Sequence, residues 1–127
     1  MKFRFALALA ASLLIATPQF AHAQFMDITT IISGIGGSKF LRDAERADHA
    51  AGLRVVRLST LAGAEQAAAR LYSVLYLKER DVRYLQANLV INPMAMTVIR
   101  NSGVTLEQIV SSDIARDGGG VLYANDL

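Results

Sequence analysis

Two tyrosines and two arginines form the most promising candidate binding surface in this sequence. In a helix predicted to begin near residue 62, Tyr72, Tyr76 and Arg83 would project from one side if the helix is unbroken. Aromatic and guanidinium groups are enriched at protein interfaces, and they can also stack on a ring or bind an acidic group. The preferred interpretation is nevertheless that both tyrosines lie half-buried against the second helix, with their hydroxyls in water. The predicted surface comprises Tyr72, Tyr76, Arg80 and Arg83, with Glu79 at its edge.

A metal site is not predicted. His49 is the only histidine after residue 23, with Glu45 four residues before it and Asp48 adjacent in sequence. A firm site needs three or four ligands, so this cluster is interpreted as a surface helix with an i,i+4 pair.

A glycine-rich segment from Ser33 to Lys39 precedes a predicted helix, as in loops that bind phosphate at helix N-termini. It departs from the G-x-x-x-x-G-K-[ST] motif, so a flexible hinge is the preferred interpretation. No cofactor is predicted.

Groups that could catalyse a reaction are scarce. The chain has no cysteine, and a single histidine after residue 23 excludes a His-Cys pair and a two-histidine site. A Ser-Lys pair remains possible, with Lys39 and Lys78 as the only lysines after residue 23. Asp113, Asp117 and Asp126 lie around a predicted turn, which favours turn formation over acid-base catalysis. We therefore expect no enzymatic activity.

Residues 1–23 have the pattern of a secretory signal peptide. Lys2 and Arg4 precede an apolar run from Phe5 to Ala16, and Ala21-His22-Ala23 matches an A-x-A cleavage site. A helix of that run would be about 18 Å long, too short for the roughly 30 Å hydrocarbon core of a bilayer. The expected product is a periplasmic or secreted protein, cleaved after Ala23, with no stable membrane anchor.

Removal of residues 1–23 changes the net charge. The full chain carries 13 basic and 11 acidic residues, and both excess charges are Lys2 and Arg4. The mature part is therefore neutral, which predicts no nucleic-acid partner. Neutrality also gives little repulsion between copies, which leaves room for a homo-oligomer or another protein partner.

The first half of the mature chain predicts two helices and a strand. Isoleucines from residue 28 to 35 follow a helical stripe with Asp27 as N-cap, although the β-branched run also favours a strand. A second helix is predicted over residues 39–51, with Ser38 as N-cap and Gly52 as its end. Residues 53–59 are β-branched at their centre and predict a strand.

The second half predicts further helices and a hairpin. A long helix is predicted to begin near residue 62, and its apolar residues fall on one line along its surface. A break or kink is predicted near Lys78, with Asp81 as the N-cap of a second helix. Asn92-Pro93 predicts the start of another helix. Thr105 to Gln108 have the spacing of a capping box. Residues 109–114 and 121–124 flank a glycine-rich turn that predicts a hairpin. The apolar line consists of Leu71, Leu75, Val82, Leu85 and Leu89.

These elements predict one small α+β domain over residues 24–127, with several helices on a sheet of about three antiparallel strands. The leading functional prediction is a non-catalytic interaction or structural protein, with self-association as one form of that role. The alternative is a periplasmic protein that binds a small acidic or aromatic ligand through Arg83, Tyr72 and Tyr76, and an enzyme is the third class.

Overall fold

The computed structural model describes residues 26–127, so the predicted signal peptide and its cleavage site lie outside the described residues. The described chain forms five α-helices and a three-stranded sheet, which confirms the α+β class. The helices are α1 (Ile28–Gly34), α2 (Ser38–Arg46), α3 (Ala64–Leu77), α4 (Glu79–Val90) and α5 (Pro93–Asn101). The strands are β1 (Leu53–Arg57), β2 (Ile109–Ile114) and β3 (Gly120–Ala124), and short 3-10 turns cover Leu58–Thr60 and Leu106–Gln108.

The sheet is mixed, so the prediction of an antiparallel sheet was wrong. Strand order is β1-β3-β2, with β3 antiparallel to β2 and parallel to β1. The predicted hairpin is confirmed, and its turn is closed by a hydrogen bond from Ala115 N to Gly119 O of 2.8 Å. The direction of β1 differs from the prediction because a long helical connection, α3 to α5, carries the chain from β1 to the far edge of the sheet.

Helix α1 confirms the helical alternative for the isoleucine-rich segment. The Asp27 side chain accepts a hydrogen bond from Thr30 N at 2.8 Å and caps the helix. Ile28, Ile31 and Ile32 are buried, and this burial outweighs the preference of β-branched residues for strands.

Helix α2 is shorter than predicted. It ends at Arg46 instead of residue 51, and Ser38 is its first residue while Gly37 occupies the N-cap position. The Asn92 side chain explains the early end, because its Nδ2 donates 2.8 Å hydrogen bonds to the carbonyls of Ala47 and Ala50. These bonds hold the carbonyls that follow the helix in a turn.

Asn92 also confirms the predicted start of α5. Its Oδ1 accepts hydrogen bonds from Met94 N at 3.1 Å and Ala95 N at 3.3 Å, and Pro93 is the first helical residue. The predicted capping box at Thr105 and Gln108 is also present.

A single apolar core joins the helices to the sheet. Helices α2 and α4 pack against β2, and α5 packs against β1. Four residues of the predicted apolar line are buried, and Leu75 is partly buried against the core. The buried four are Leu71, Val82, Leu85 and Leu89.

Candidate functional site

Helix α3 is the least buried of the long helices. Only Ala64 and Leu71 are buried among its 14 residues, although most of the helix is apolar. It contacts chiefly α1 and the 3-10 turn after β1, which leaves its outer side open to solvent. An amphipathic helix normally gains its stability from packing its apolar face, so the uncovered apolar side chains of α3 form a candidate docking surface.

The uncovered side chains are large. Tyr72 is 78% exposed, Tyr76 is 79% exposed and Leu77 is 75% exposed. We call these three residues the tyrosine surface. The preferred interpretation, in which both tyrosines are half-buried against the second helix, is therefore wrong, because no described helix covers this side of α3.

The two arginines of the predicted surface lie on the next helix. Lys78 separates α3 from α4, with backbone angles of φ −110° and ψ 23° that depart from helical values. The predicted break is thus present, and the unbroken helix that would align Arg83 with the tyrosines is not. Asp81 lies in the first turn of α4 without a side-chain capping bond, so its predicted capping role was wrong.

Arg83 is engaged within its own helix. Its guanidinium forms an i,i+4 ion pair with Glu79, and its side chain is 74% exposed. Such an exposed pair contributes about 0.2–1 kcal/mol. Arg80 is also exposed, two residues after the break. The structure thus brings Tyr72 and Tyr76 together on α3 and places Arg80 and Arg83 on α4.

An apolar groove of about 360 Å³ lies between the segment before β1 and helix α5. Its lining residues are Ala50, Ala51, Gly52, Leu53, Met94, Thr97 and Val98. Met94 is 59% exposed at its rim, and the nearby residues Val90 and Ile91 are also exposed. Sequence reasoning missed this groove. Its two sides, residues 50–53 and 94–98, are distant along the chain, so no local pattern in the sequence indicates it.

A polar cluster surrounds a smaller cleft of about 90 Å³ between α1, α2 and β2. Lys39 Nζ donates hydrogen bonds to Asp43 Oδ2 at 2.7 Å and to Asp113 Oδ1 at 2.9 Å. Asp43 is buried and also accepts a hydrogen bond from Ile114 N at 3.3 Å. Lys39 therefore ties α2 to β2, a role that differs from the phosphate-binding alternative.

Ser111 and Ser112 line the same cleft as Lys39, which is the arrangement that the Ser-Lys alternative requires. Burial by itself lowers the pKa of Lys39, but the hydrogen bonds and charges of Asp43 and Asp113 outweigh it and raise the pKa above its ordinary value. A lysine that stays protonated cannot accept the proton of a serine hydroxyl. The arrangement therefore favours a structural role for Lys39.

Replacement of Lys39 by methionine should remove a pH-dependent part of the stability. Because the folded state raises the pKa of Lys39, its contribution is full below the unfolded pKa of about 10.4 and is lost as the pH rises through the raised pKa. We expect the free energy of unfolding of Lys39→Met to be about 1 kcal/mol lower than that of the wild type at pH 7. This difference should shrink as the pH rises above about 10.4. Urea unfolding from pH 7 to 11.5 measures this. Lys78→Met, at an exposed lysine without an ion pair to a described residue, should show no such change.

The remaining candidate residues make local contacts. His49 Nδ1 lies 2.6 Å from Asp48 Oδ1, and its side chain is 71% exposed. Asp117 accepts a hydrogen bond from Gly119 N in the hairpin turn, and Asp126 accepts one from Ser59 N. Within residues 26–127, no group of three or more His, Cys, Asp or Glu side chains could hold a metal ion. In the same range no helix has both the length and the apolar character needed to cross a membrane.

Comparisons with known proteins complete the description of these surfaces. No protein-family model and no curated protein matches the sequence, and no solved structure matches the fold.

Proposed function

We propose that this chain is exported and that, after cleavage behind Ala23, it acts as a non-catalytic protein that binds another protein through the tyrosine surface. The exposure of Tyr72, Tyr76 and Leu77 carries the proposal. Tyrosine is among the residues most enriched at the energetic centres of interfaces, because its ring buries a large area and its hydroxyl keeps a hydrogen bond.

The polar groups of the described chain support a non-catalytic role. Lys39 is held in its charged form between two carboxylates, and His49 is bonded to the adjacent Asp48 on the surface. Each of these groups already has a carboxylate partner, and the contact of Lys39 with Asp113 joins α2 to β2. The neutral charge of residues 24–127 further favours a protein partner over a nucleic acid.

Photo-crosslinking in the native cell tests the proposed interaction. A photoreactive phenylalanine analogue at position 72 should give a discrete crosslinked product with a protein. The same analogue at Arg116, an exposed residue of the hairpin turn, is the matched control. Equal products at both positions, or none at position 72, would contradict the proposal.

The export proposal has an independent test. The protein recovered from the periplasm or the medium should have the mass of a chain that begins at Gln24. An intact precursor in the cytoplasm would contradict the assigned cleavage and location.

A second candidate function is the binding of a small molecule, and the apolar groove beside α5 favours it. Its volume of about 360 Å³ lies within the range of about 300–1,000 Å³ typical of ligand sites. The groove is lined by apolar residues and one threonine and has no basic residue, so a thermal-shift panel should consist mainly of apolar and aromatic compounds. A ligand at 100 times its Kd stabilises a protein by about 2.7 kcal/mol. A hit that is lost in Val98→Asp would support this function, and no shift with any compound would count against it.

A further inference from the structure

We propose that the partner of the tyrosine surface is a second copy of this chain, with the two α3 helices packed antiparallel about a twofold axis. This inference rests on the proposed function and adds the identity of the partner. Its basis is a row of exposed residues along α3, followed after the break at Lys78 by the exposed Arg80 in the first turn of α4. This row, the α3 stripe, consists of Glu65, Ala69, Tyr72, Ser73, Tyr76 and Arg80, all of which are exposed.

The order of large and small residues in the α3 stripe is self-complementary. In an antiparallel pair centred between residues 72 and 73, Tyr76 of one copy lies opposite Ala69 of the other. Residues 72 and 73 flank the twofold axis on opposite sides, so the Tyr72 rings of the two copies lie beside each other across that axis, where aromatic rings pair favourably. The outer ring, Tyr76, therefore meets a small side chain, and the two inner rings pair with each other across the twofold axis.

The charges at the ends of the α3 stripe are also complementary. Glu65 lies in the first turn of α3, and Arg80 follows the C-terminal end of α3 in the first turn of α4. Antiparallel packing places the acidic end of each copy beside the basic end of its partner, and the twofold axis repeats this contact. The mature chain is neutral overall, so no net repulsion between copies opposes the contact.

The area available predicts a weak dimer. A buried tyrosine covers about 150–250 Å². At 78% and 79% exposure, Tyr72 and Tyr76 together offer on the order of 300 Å² per copy. With the flanking residues of the stripe, each copy would bury less than the roughly 800 Å² of a standard stable interface. We therefore expect a Kd on the order of tens of micromolar.

Sedimentation equilibrium on residues 24–127 tests the proposal. The chain should be monomeric at about 1 µM and mostly dimeric at several hundred micromolar. Ala69→Glu fills the space that Tyr76 of the partner occupies, so it should keep the chain monomeric throughout this range. Ala87→Glu places the same change at an exposed alanine of α4 and should leave the dimer intact.

A charge exchange tests the antiparallel direction. Glu65→Arg and Arg80→Glu should each weaken self-association about tenfold, since each brings like charges together twice. An equimolar mixture of the two variants should dimerise as the wild type does, because both contacts in the mixed dimer then join opposite charges. Circular dichroism confirms that each variant is folded before its mass is measured.

The outcomes separate this inference from the proposed function. A strictly monomeric wild type, or equal dimerisation of Ala69→Glu and Ala87→Glu, overturns the inference. If the equimolar mixture of Glu65→Arg and Arg80→Glu does not recover wild-type dimerisation, the antiparallel arrangement is overturned. Photo-crosslinking at position 72 to a different protein, together with a monomeric wild type, overturns the second-copy inference and leaves the proposed function supported.

Discussion

Replacement of Asn92 by alanine should destabilise the protein by about 3–7 kcal/mol. Asn92 is 4% exposed, and its side chain makes four hydrogen bonds, two as donor and two as acceptor. Alanine removes the N-cap of α5, which costs about 1 kcal/mol. It also leaves the carbonyls of two buried residues, Ala47 and Ala50, without their donor, at about 1–3 kcal/mol each. Urea or thermal unfolding measures the loss, with Tm falling by at least about 12 °C.

Two further variants identify the cause of that loss. Asn92→Asp keeps the capping oxygen but removes both donors and places a carboxylate beside two carbonyls, so it should be as harmful as alanine. Asn101→Ala, at the exposed last residue of α5, should change stability by less than about 0.5 kcal/mol. A mild Asn92→Ala variant would show that these hydrogen bonds do not hold the α2 end and α5 together.

Replacement of Gly120 by alanine should destabilise the protein by about 3 kcal/mol or more. A Cβ atom at Gly120 would lie 2.1 Å from Asp113 O and 2.9 Å from Ile114 Cα. Both neighbours are backbone atoms of β2, so no side-chain rotation relieves the clash. The two strands of the hairpin, β2 and β3, must therefore move apart. Because Gly120 also pairs with Leu53, the change disturbs both pairings of the sheet. Urea unfolding followed by circular dichroism measures the effect.

Gly119 is the matched control for this substitution. A Cβ atom there would meet Asp117 Oδ1 at 3.4 Å and Ala51 O at 3.8 Å, which are ordinary contacts. Gly119→Ala should therefore change the stability by less than about 1 kcal/mol. Equal losses for the two variants would indicate that the clash with β2 does not explain the Gly120 result.

Features encoded by neighbouring residues could be predicted from the sequence. The Asn92-Pro93 helix start, the capping box at Thr105 and the hairpin turn each depend on a few adjacent side chains. The break at Lys78 was predicted because a lysine interrupts the apolar line. Local hydrogen bonding and helical periodicity determine all four, so one segment of sequence suffices for each.

Features that depend on distant segments could not be predicted. The end of α2 depends on Asn92, which lies 45 residues beyond Ala47. The pairing of Lys39 with Asp113 joins residues 74 positions apart. The direction of β1 likewise depends on how three helices carry the chain across the sheet. A single sequence contains no signal of such spatial neighbours.

The candidate site was predictable only in part. Helical spacing placed Tyr72 and Tyr76 on one side of α3, as the structure has them. The degree of their exposure could not be predicted, because it depends on which helices pack beside α3. The groove beside α5 forms between segments that are distant in sequence, which is why periodicity alone did not indicate it.

The central position of β3 has a consequence for biogenesis. Both other strands pair with β3, which spans residues 120–124, so the sheet cannot assemble until nearly all of the described chain has been synthesised. Helices made earlier then lack the surface on which they pack. For a chain exported as we propose, this order of synthesis delays folding and keeps the precursor unfolded, which is the state that a translocation channel accepts.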